Sequence, residues 1–495
     1  MLNLEGAACL LIILLLAIRT VSNGAGTWKP SRSLDASDAV ILLAICAGIA
    51  ALFWRAAHIG FLSDDFVLLA HARDYRWRSI FSTAGGDGFY RPLIYAIFSL
   101  TRRWAGVDPW AWHASGIAIH ALNAILVYLI AWALGYSRFV SGFAAALFAV
   151  HAAHPEVALW ITGRFDLFAT LFLLLALLFW IRAWAVAMTD VRPARARLYR
   201  TIALLAMIAG LLSKESAYAF PVMVLALIGF NPEWRRRPAA YLPFFIVAAI
   251  VFAWRWHLLQ GIGGYLTAAG TPEILSQSLF GIFKGFALRL WAILFFPVDW
   301  SIRPGLIFGA ITLIYAAAVI GMSSIRVKRA ALFLPLALLL ASVAPVLHLL
   351  RIGPDLEKAR YLYLPSAMFA VTIAVVIDAS KHKWILAAAI LAFQSAALLH
   401  NFGAWEHSSS KAGSTCEAVA DAARAPGAKI AVMGVPQTLE GAYFFANGLP
   451  ECAGLLNGRR ADVTMILDAS SAVDRSRFTE ILQWNPATED LSPRP

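Results

Sequence analysis

Charge is scarce in this sequence, and negative charge is scarcest. Of 495 residues, 14% are charged, and 29 are Asp or Glu against 41 Lys or Arg. A soluble domain is closer to a quarter charged, so a water-exposed surface along the whole chain is excluded. Cysteine is nearly missing too. The four present have no metal-ligand spacing, which argues against a cysteine-based metal centre. Cys9 and Cys46 fall in apolar helices and read as packing residues, whereas Cys416 and Cys452 share a polar tail and can pair if that tail is extracytoplasmic. No internal repeat runs through the chain.

Apolar surface is abundant instead. Hydrophobic residues make up 60% of the chain, and the mean hydropathy is +0.70. Apolar runs of about 14 to 22 residues recur along most of the length, and a membrane-spanning helix needs about 20. The fold class expected is therefore an all-α polytopic membrane protein of about 11–12 transmembrane helices. The net charge of +12 does not signal nucleic acid, because Lys and Arg cluster in short loops between apolar runs, as the positive-inside rule expects. Many of the 18 Trp sit near helix ends, which suits an interfacial belt.

Loop charge sets the sides. The short run 6–18 reads as a weak extra transmembrane segment, and residues 1–38 as that segment plus a cytoplasmic linker. Spans are expected near 39–55, 112–134, 138–153, 166–186, in two short helices over 200–230, and near 239–257, 305–322, 330–350, 362–379 and 383–400. Residues 56–110 form a long first outer loop, in which "YRPLIYAIFSLTRRW" has the pattern of an amphipathic surface helix. The run 279–296 carries Lys284 and Arg289, which are costly at mid-bilayer. Keeping "SSIRVKRA" and "SKHK" cytoplasmic also requires this run not to cross, so it is expected to be re-entrant or interfacial. Residues 39–401 form the membrane domain. Residues 402–495 form a small extracytoplasmic α/β domain, with "STCEAVADAARA" as a helix and "AKIAVMGVP" and "ADVTMILD" as strands. Its last dozen residues read as frayed.

With these sides, ionisable residues gather on the outer face: Asp64, Asp65, Arg91, His154, Glu156, Arg164, Asp166, Lys214, Glu215, Arg303, Asp355, Glu357, Lys358 and Arg360. Such residues near a membrane are functional candidates by default. Two adjacent carboxylates raise one another's pKa, which suits a base near neutral pH, and a carboxylate pair can also take a divalent metal. Arg and Lys hold phosphate, with Arg doing so bidentately. A base beside a phosphate clamp, on a face without nucleotide sugars, describes group transfer from a lipid-linked phosphate. Each residue also has a plainer reading. His154 is as well explained by a structural hydrogen bond, Arg164 and Asp166 by a mutual ion pair fixing a turn, Lys214 and Glu215 by a solvated turn, and Arg91 by a helix cap.

The ordered motifs "SDDF", "FYRPL", "HAAHPEVALWITGRFD", "SKES" and "RYLYLPS" resemble the GT-C glycosyltransferases, and within them the protein O-mannosyltransferase-like group that includes bacterial relatives of the transmembrane-TPR (TMTC) enzymes. The resemblance covers about residues 39 to 400. It implies a GT-C-like helical bundle and an inverting, single-displacement transfer from a polyprenyl-phosphate sugar to a hydroxyl or amine acceptor on protein, lipid or glycan. No cofactor is required. It also implies an integral membrane protein, of a bacterial inner membrane, with site and tail facing the periplasm or exterior. Asp64 or Asp65 would be the base, and the resemblance does not choose between them. Arg360 would clamp the donor phosphate, with Tyr361 and Tyr363 beside the lipid and Lys214 and Arg91 assisting. His154, Glu156, Arg164, Asp166 and Glu215 would wall the cavity. Two departures matter. Ala359 stands where an acid often precedes the arginine, leaving Glu357 as the nearest, and the TPR tail is absent, so the small tail domain must act otherwise. A flippase for the same lipid and a non-catalytic scaffold are the alternatives. The one-sided charges argue against the first, and the second leaves the carboxylate pair idle.

Overall fold

The computed structural model describes residues 33–73, 75, 80–81, 88–189, 193–265, 267, 271–471 and 473–494. The expected segment at 6–18, with Cys9, lies outside them. Each of the eleven expected spans carries a helix: Ala36–Leu52, Pro109–Ala133, Arg138–Ala149, Arg164–Thr189, Pro193–Leu211, Ala219–Phe230, Leu242–Leu259, Leu306–Met322, Arg329–Val343, Tyr363–Asp378 and Lys383–Ala422. Among the described residues, six helical segments are long and apolar enough to cross a membrane, and four more are apolar but shorter. The chain is a helical membrane bundle, as its composition implied, with a small α/β unit at its C-terminal end, as the strand and helix patterns there implied.

Contacts between helix ends sort the bundle into two ends. At one, Arg138 donates to Asp38 (3.0 Å), Ser137 to Asp378 (3.2 Å) and the Tyr136 hydroxyl to the carbonyl of Ala331 (3.1 Å). At the other lie Glu156, Asp166, Lys214, Glu215 and Arg360, paired as described below. Helix directions therefore alternate along the chain. The run expected not to cross does not. Leu279–Lys284 continues through a π turn, Gly285–Arg289, into Leu290–Phe295. Gly285 packs on the backbone of Leu350, and the carbonyl of Pro297, just beyond, accepts from Asn401 at 2.8 Å. Gly285 lies mid-run and Pro297 just past its end, and both contacts are at the ionisable end of the bundle. "FYRPL" opens the helix Pro92–Ala105, with proline in the first turn and one face buried.

The last span and the tail's first helix are one element. Lys383–Ala422 runs 40 residues without a break, about 60 Å at 1.5 Å per residue. That is about twice the hydrocarbon thickness, so its second half projects beyond the bundle and carries the tail. Strands β1 (Lys429–Met433), β4 (Asp462–Ile466) and β5 (Glu480–Asn485) pair in parallel, and β6 (Asp490–Pro493) closes the edge antiparallel, in the order β4-β1-β5-β6. Residues 484–494 of the expected frayed end are therefore ordered: Leu491 sits opposite Trp484 in a two-strand turn-back that the polar composition hides. A short hairpin, β2 (Thr438–Leu439) with β3 (Ala442–Tyr443), leaves the sheet toward the bundle. Cys416 and Cys452 are joined, tying the long helix to the helix Leu449–Asn457.

Candidate active site

The adjacent carboxylates open a short helix, Asp64–His71, and take up different positions. Asp65 is fully buried. One of its oxygens accepts from the backbone N–H (2.8 Å) and hydroxyl (2.7 Å) of Thr162, and the other from the Leu62 N–H (3.1 Å). Burial outweighs these three donors and pushes its pKa up to about 7. Asp64, one position earlier, is half-buried. Thr162 lies in the tight turn Ile161–Gly163 at the head of the Arg164 helix. There a Cβ on Gly163 would come within 2.6 Å of the Val157 carbonyl, so only glycine lets the turn close. The turn "WITGRFD" therefore acts on the carboxylate pair through its threonine, a residue that neutral side-chain chemistry gave no reason to single out.

The remaining charges form buried pairs that differ from sequence neighbours. Arg360 binds Glu156, through both its guanidinium and its backbone N–H (2.9 Å). Glu357, the nearest acid in sequence, faces Lys358 instead. Asp166 pairs with Lys214 at 2.5 Å rather than with Arg164. Arg164 donates to the Ser115 hydroxyl (2.6 Å) and the carbonyl of Trp112. Two positions apart at a helix start, Arg164 and Asp166 point in different directions: Arg164 finds its partners on the helix Pro109–Ala133, and Asp166 finds Lys214 in the turn before Glu215. Glu215 receives Arg91 at 2.7 Å and Arg255 at 3.4 Å. Arg91 is thus a carboxylate partner and makes no side-chain cap. His154 shares a hydrogen bond with the Ser366 hydroxyl (2.9 Å), and its Nδ1 is buried with no partner.

A cavity of about 280 Å³ opens beside these pairs. Its wall includes Phe89, Arg91, Lys214, Glu215, Tyr218, Phe252, Arg255, Tyr265, Leu349 and Tyr361. It is largely apolar, with a charged margin in which Arg91, Lys214 and Arg255 stand beside Glu215 and Glu273, a lining that suits a hydrocarbon chain with a polar head. Tyr363, expected beside Tyr361, is not on this wall. Tyr361 lies in the tight turn Ala359–Leu362 and Tyr363 opens the following helix, pointing into the bundle, where its hydroxyl meets His120 (2.7 Å) and Asn123 (3.2 Å). Asp64 and Asp65 are not lining residues either. Their turn is linked to the Arg360 side by Trp160, whose indole N–H donates to the Leu62 carbonyl (3.2 Å) and whose ring lies 5.3 Å from the Arg360 guanidinium.

Sequence reasoning missed Arg255, Tyr265, Tyr443 and Trp160. Arg255 stands in the last turns of an apolar helix, and a charge in an otherwise apolar helix was the available signal. Tyr265 and Tyr443 bring hydroxyls to Arg360 at 3.4 and 2.7 Å from a distant loop and from the tail, which no local pattern reveals. Among the described residues, no group of three or more His, Cys, Asp or Glu is placed to hold a metal ion.

Fold and site together define a polytopic helical membrane protein with a buried, charge-paired polar centre at one end of its bundle. No protein-family model matches the chain. A stretch of 109 residues is 35% identical to protein O-mannosyl-transferase TMTC2 of Mus musculus, covering 21% of this chain and 13% of that protein. Over 165 residues it is 32% identical to protein O-mannosyl-transferase Tmtc1 of Drosophila melanogaster (30% and 19%), and over 180 residues 31% identical to TMTC1 of Homo sapiens (32% and 20%). The matches span a fifth or less of these relatives' length. This chain is thus similar, over part of its length, to the same O-mannosyltransferase group that its ordered motifs resemble. Crystal structures of ArnT from Cupriavidus metallidurans overlay with a TM-score of 0.40 in the apo state (15% identity, 91% of this chain and 93% of that one). Bound to undecaprenyl phosphate, the TM-score is 0.41 (14%, 92% and 94%). Those scores are too low to argue from.

Proposed function

We propose that the protein is an inverting glycosyltransferase of the membrane surface, moving a sugar from a polyprenyl-phosphate donor to a hydroxyl or amine acceptor on protein, lipid or glycan. The observation that carries this reading is the apolar cavity with Arg91, Lys214 and Arg255 on its wall, at the end of the bundle that also holds the carboxylate turn. The prenyl chain lies along the apolar wall, and its phosphate meets the cations of the charged margin, with Arg360 behind Tyr361. The acceptor oxygen attacks the anomeric carbon, the bond from that carbon to the phosphate oxygen breaks, and polyprenyl phosphate leaves with the electron pair. The acceptor's proton passes to a carboxylate.

Asp64 is our choice for that base. Asp65 already accepts three hydrogen bonds and is fully buried, which suits a residue that holds the turn in place, whereas its half-exposed neighbour is the more accessible. Glu156, Asp166 and Glu215 orient the cations Arg360, Lys214 and Arg91, while Arg164 ties the head of its helix to Ser115 and His154 is held by Ser366. The scheme needs no metal or cofactor. We place the site on the periplasmic or outer face of a bacterial inner membrane, because the basic loops favour the opposite side.

The test uses purified protein in lipid nanodiscs, polyprenyl-phosphate sugars (mannose, glucose, galactose, aminoarabinose) and cell-envelope fractions as acceptor. Wild type should transfer at least one sugar, and Asp64→Asn should lower transfer by roughly 10²- to 10⁴-fold with unfolding unchanged, the usual range for loss of a general base. Undiminished transfer by Asp64→Asn removes the assigned base, and no transfer by wild type from any donor removes the reading.

A further inference from the structure

The tail reaches into the polar centre through one segment, and both arms of the centre rest on it. At its start, Gly441 has φ +80° and lies so close to the loop before Arg360 that a Cβ would fall 2.0 Å from the Asp355 carbonyl oxygen. At its end, Gly448 has φ +83°, and a Cβ there would fall 2.3 Å from the carbonyl oxygen of Ser63. Both positions combine a left-handed backbone with a close approach to another backbone, a double demand that only glycine meets. Between them, Tyr443 stacks on Trp160 (centroids 4.3 Å apart, planes 24°) while its hydroxyl accepts from Arg360 at 2.7 Å. The Phe444 carbonyl accepts from the Ser63 N–H at 3.0 Å, and Phe445 stacks on Phe66 (5.9 Å, 15°).

Ser63 itself has φ +46°, an unfavourable conformation for a residue with a side chain. Such strain persists only where surrounding contacts impose it, and here the contacts come from the tail. The projecting half of the long helix anchors the arrangement: Ser408 donates to the Tyr443 carbonyl and Ser409 accepts from the Gly60 N–H, each at 2.7 Å. The link between Cys416 and Cys452 then fixes the helix that begins directly after Gly448.

We propose that Gly441–Gly448 is a positioning clamp that sets the spacing between the Asp64/Asp65 turn and Arg360, with Tyr443 aiming the guanidinium. The tail is then part of the active site rather than an appendage. The proposal rests on the glycosyl-transfer reading for its kinetic consequences but not for its structural ones.

Three variants of the full chain in nanodiscs test it: Gly448→Ala, Tyr443→Phe and, as a control in the same long helix, Gly413→Ala, where a Cβ meets nothing within 4 Å. Readouts are amide hydrogen exchange over residues 60–66, binding of undecaprenyl phosphate, and transfer. Gly448→Ala should raise exchange over 60–66 at least tenfold and lower kcat at least tenfold, with undecaprenyl phosphate binding within twofold of wild type. Tyr443→Phe keeps the stack on Trp160 and loses the hydroxyl. It should weaken undecaprenyl phosphate binding, and raise KM for the donor, about tenfold, the scale of a hydrogen bond to a charged group. Its exchange over 60–66 should match wild type. Gly413→Ala should change none of these. Wild-type exchange in Gly448→Ala, or wild-type phosphate binding in Tyr443→Phe, overturns the clamp. If wild type neither binds undecaprenyl phosphate nor transfers, the glycosyl-transfer reading fails, and the exchange measurement alone decides the clamp.

Discussion

Replacing Asp65 by Asn tests the physics of the carboxylate turn more sharply than a rate measurement does. In the native state the Asp65 pKa stands at about 7 against an ordinary value near 3.8, because burial disfavours the charged form more than its three donors favour it. Between these values the unfolded chain has released the proton and the folded chain still holds it. Stability therefore falls as pH rises: the contribution is fully present below about pH 4 and is lost as pH passes through about 7. Three pKa units at 1.36 kcal/mol each set the total at about 4 kcal/mol, of which about 2–3 kcal/mol falls between pH 5 and 8. Asn is neutral throughout and removes this slope. It also carries a constant penalty. Three donors face the two carboxylate oxygens, an amide offers one acceptor, and the Leu62 N–H would then meet an NH₂ group at a cost of about 1–3 kcal/mol. The assay is thermal unfolding of wild type and Asp65→Asn in nanodiscs at half-unit steps from pH 5 to 8. With an unfolding entropy of about 1 kcal/mol/K for a chain of this length, the apparent Tm of Asp65→Asn should gain roughly 2–3 °C on wild type across that range. A gap that stays constant with pH would show that Asp65 ionises near its ordinary value and would remove the burial argument.

Other consequences are more direct. Glu156→Gln leaves the Arg360 guanidinium buried without its counter-charge and should cost about 3–5 kcal/mol, read as a fall in apparent Tm. The double variant Glu156→Gln/Arg360→Gln should lose less than the sum of the two singles, and strict additivity would show that the two side chains are not coupled. Reducing the Cys416–Cys452 link, or replacing both residues by Ser, opens a loop of 36 residues. It should lower tail stability by about 3–4 kcal/mol, visible as earlier proteolysis within 423–494. Single cysteines placed at Ile325 and Glu357 should react with impermeant thiol reagents from opposite sides of the membrane, and labelling from one side would refute the alternation of helix directions and the non-crossing run at 279–295.

Much of the architecture was legible without coordinates because the bilayer imposes it. An apolar run long enough to cross must form a helix, and loop charge orders the sides, so eleven helices, one non-crossing run and a polar tail follow from composition and spacing. The same logic gathered Arg91, Glu156, Asp166, Lys214, Glu215 and Arg360 at one end, since ionisable residues avoid the hydrocarbon. Pairing was a different matter. Glu156 with Arg360, Asp166 with Lys214 and Glu215 with both Arg91 and Arg255 join residues 40 to 204 positions apart. Which acid meets which base depends on how helices are rotated and which neighbours they choose, quantities that hydropathy does not encode.

The division falls along the same physical line. Residue chemistry and its period along the chain determined that this protein lives in a membrane, where its helices run, and at which end its charges collect, because each of these depends on transfer free energies summed over local segments. Tertiary packing alone decided that Asp65 is held by Thr162, that Tyr363 faces His120 instead of the cavity, and that a tail some four hundred residues downstream grips the turn at Ser63. These depend on which side chains exclude water from one another across the fold, and there a single glycine or tyrosine outweighs any local preference.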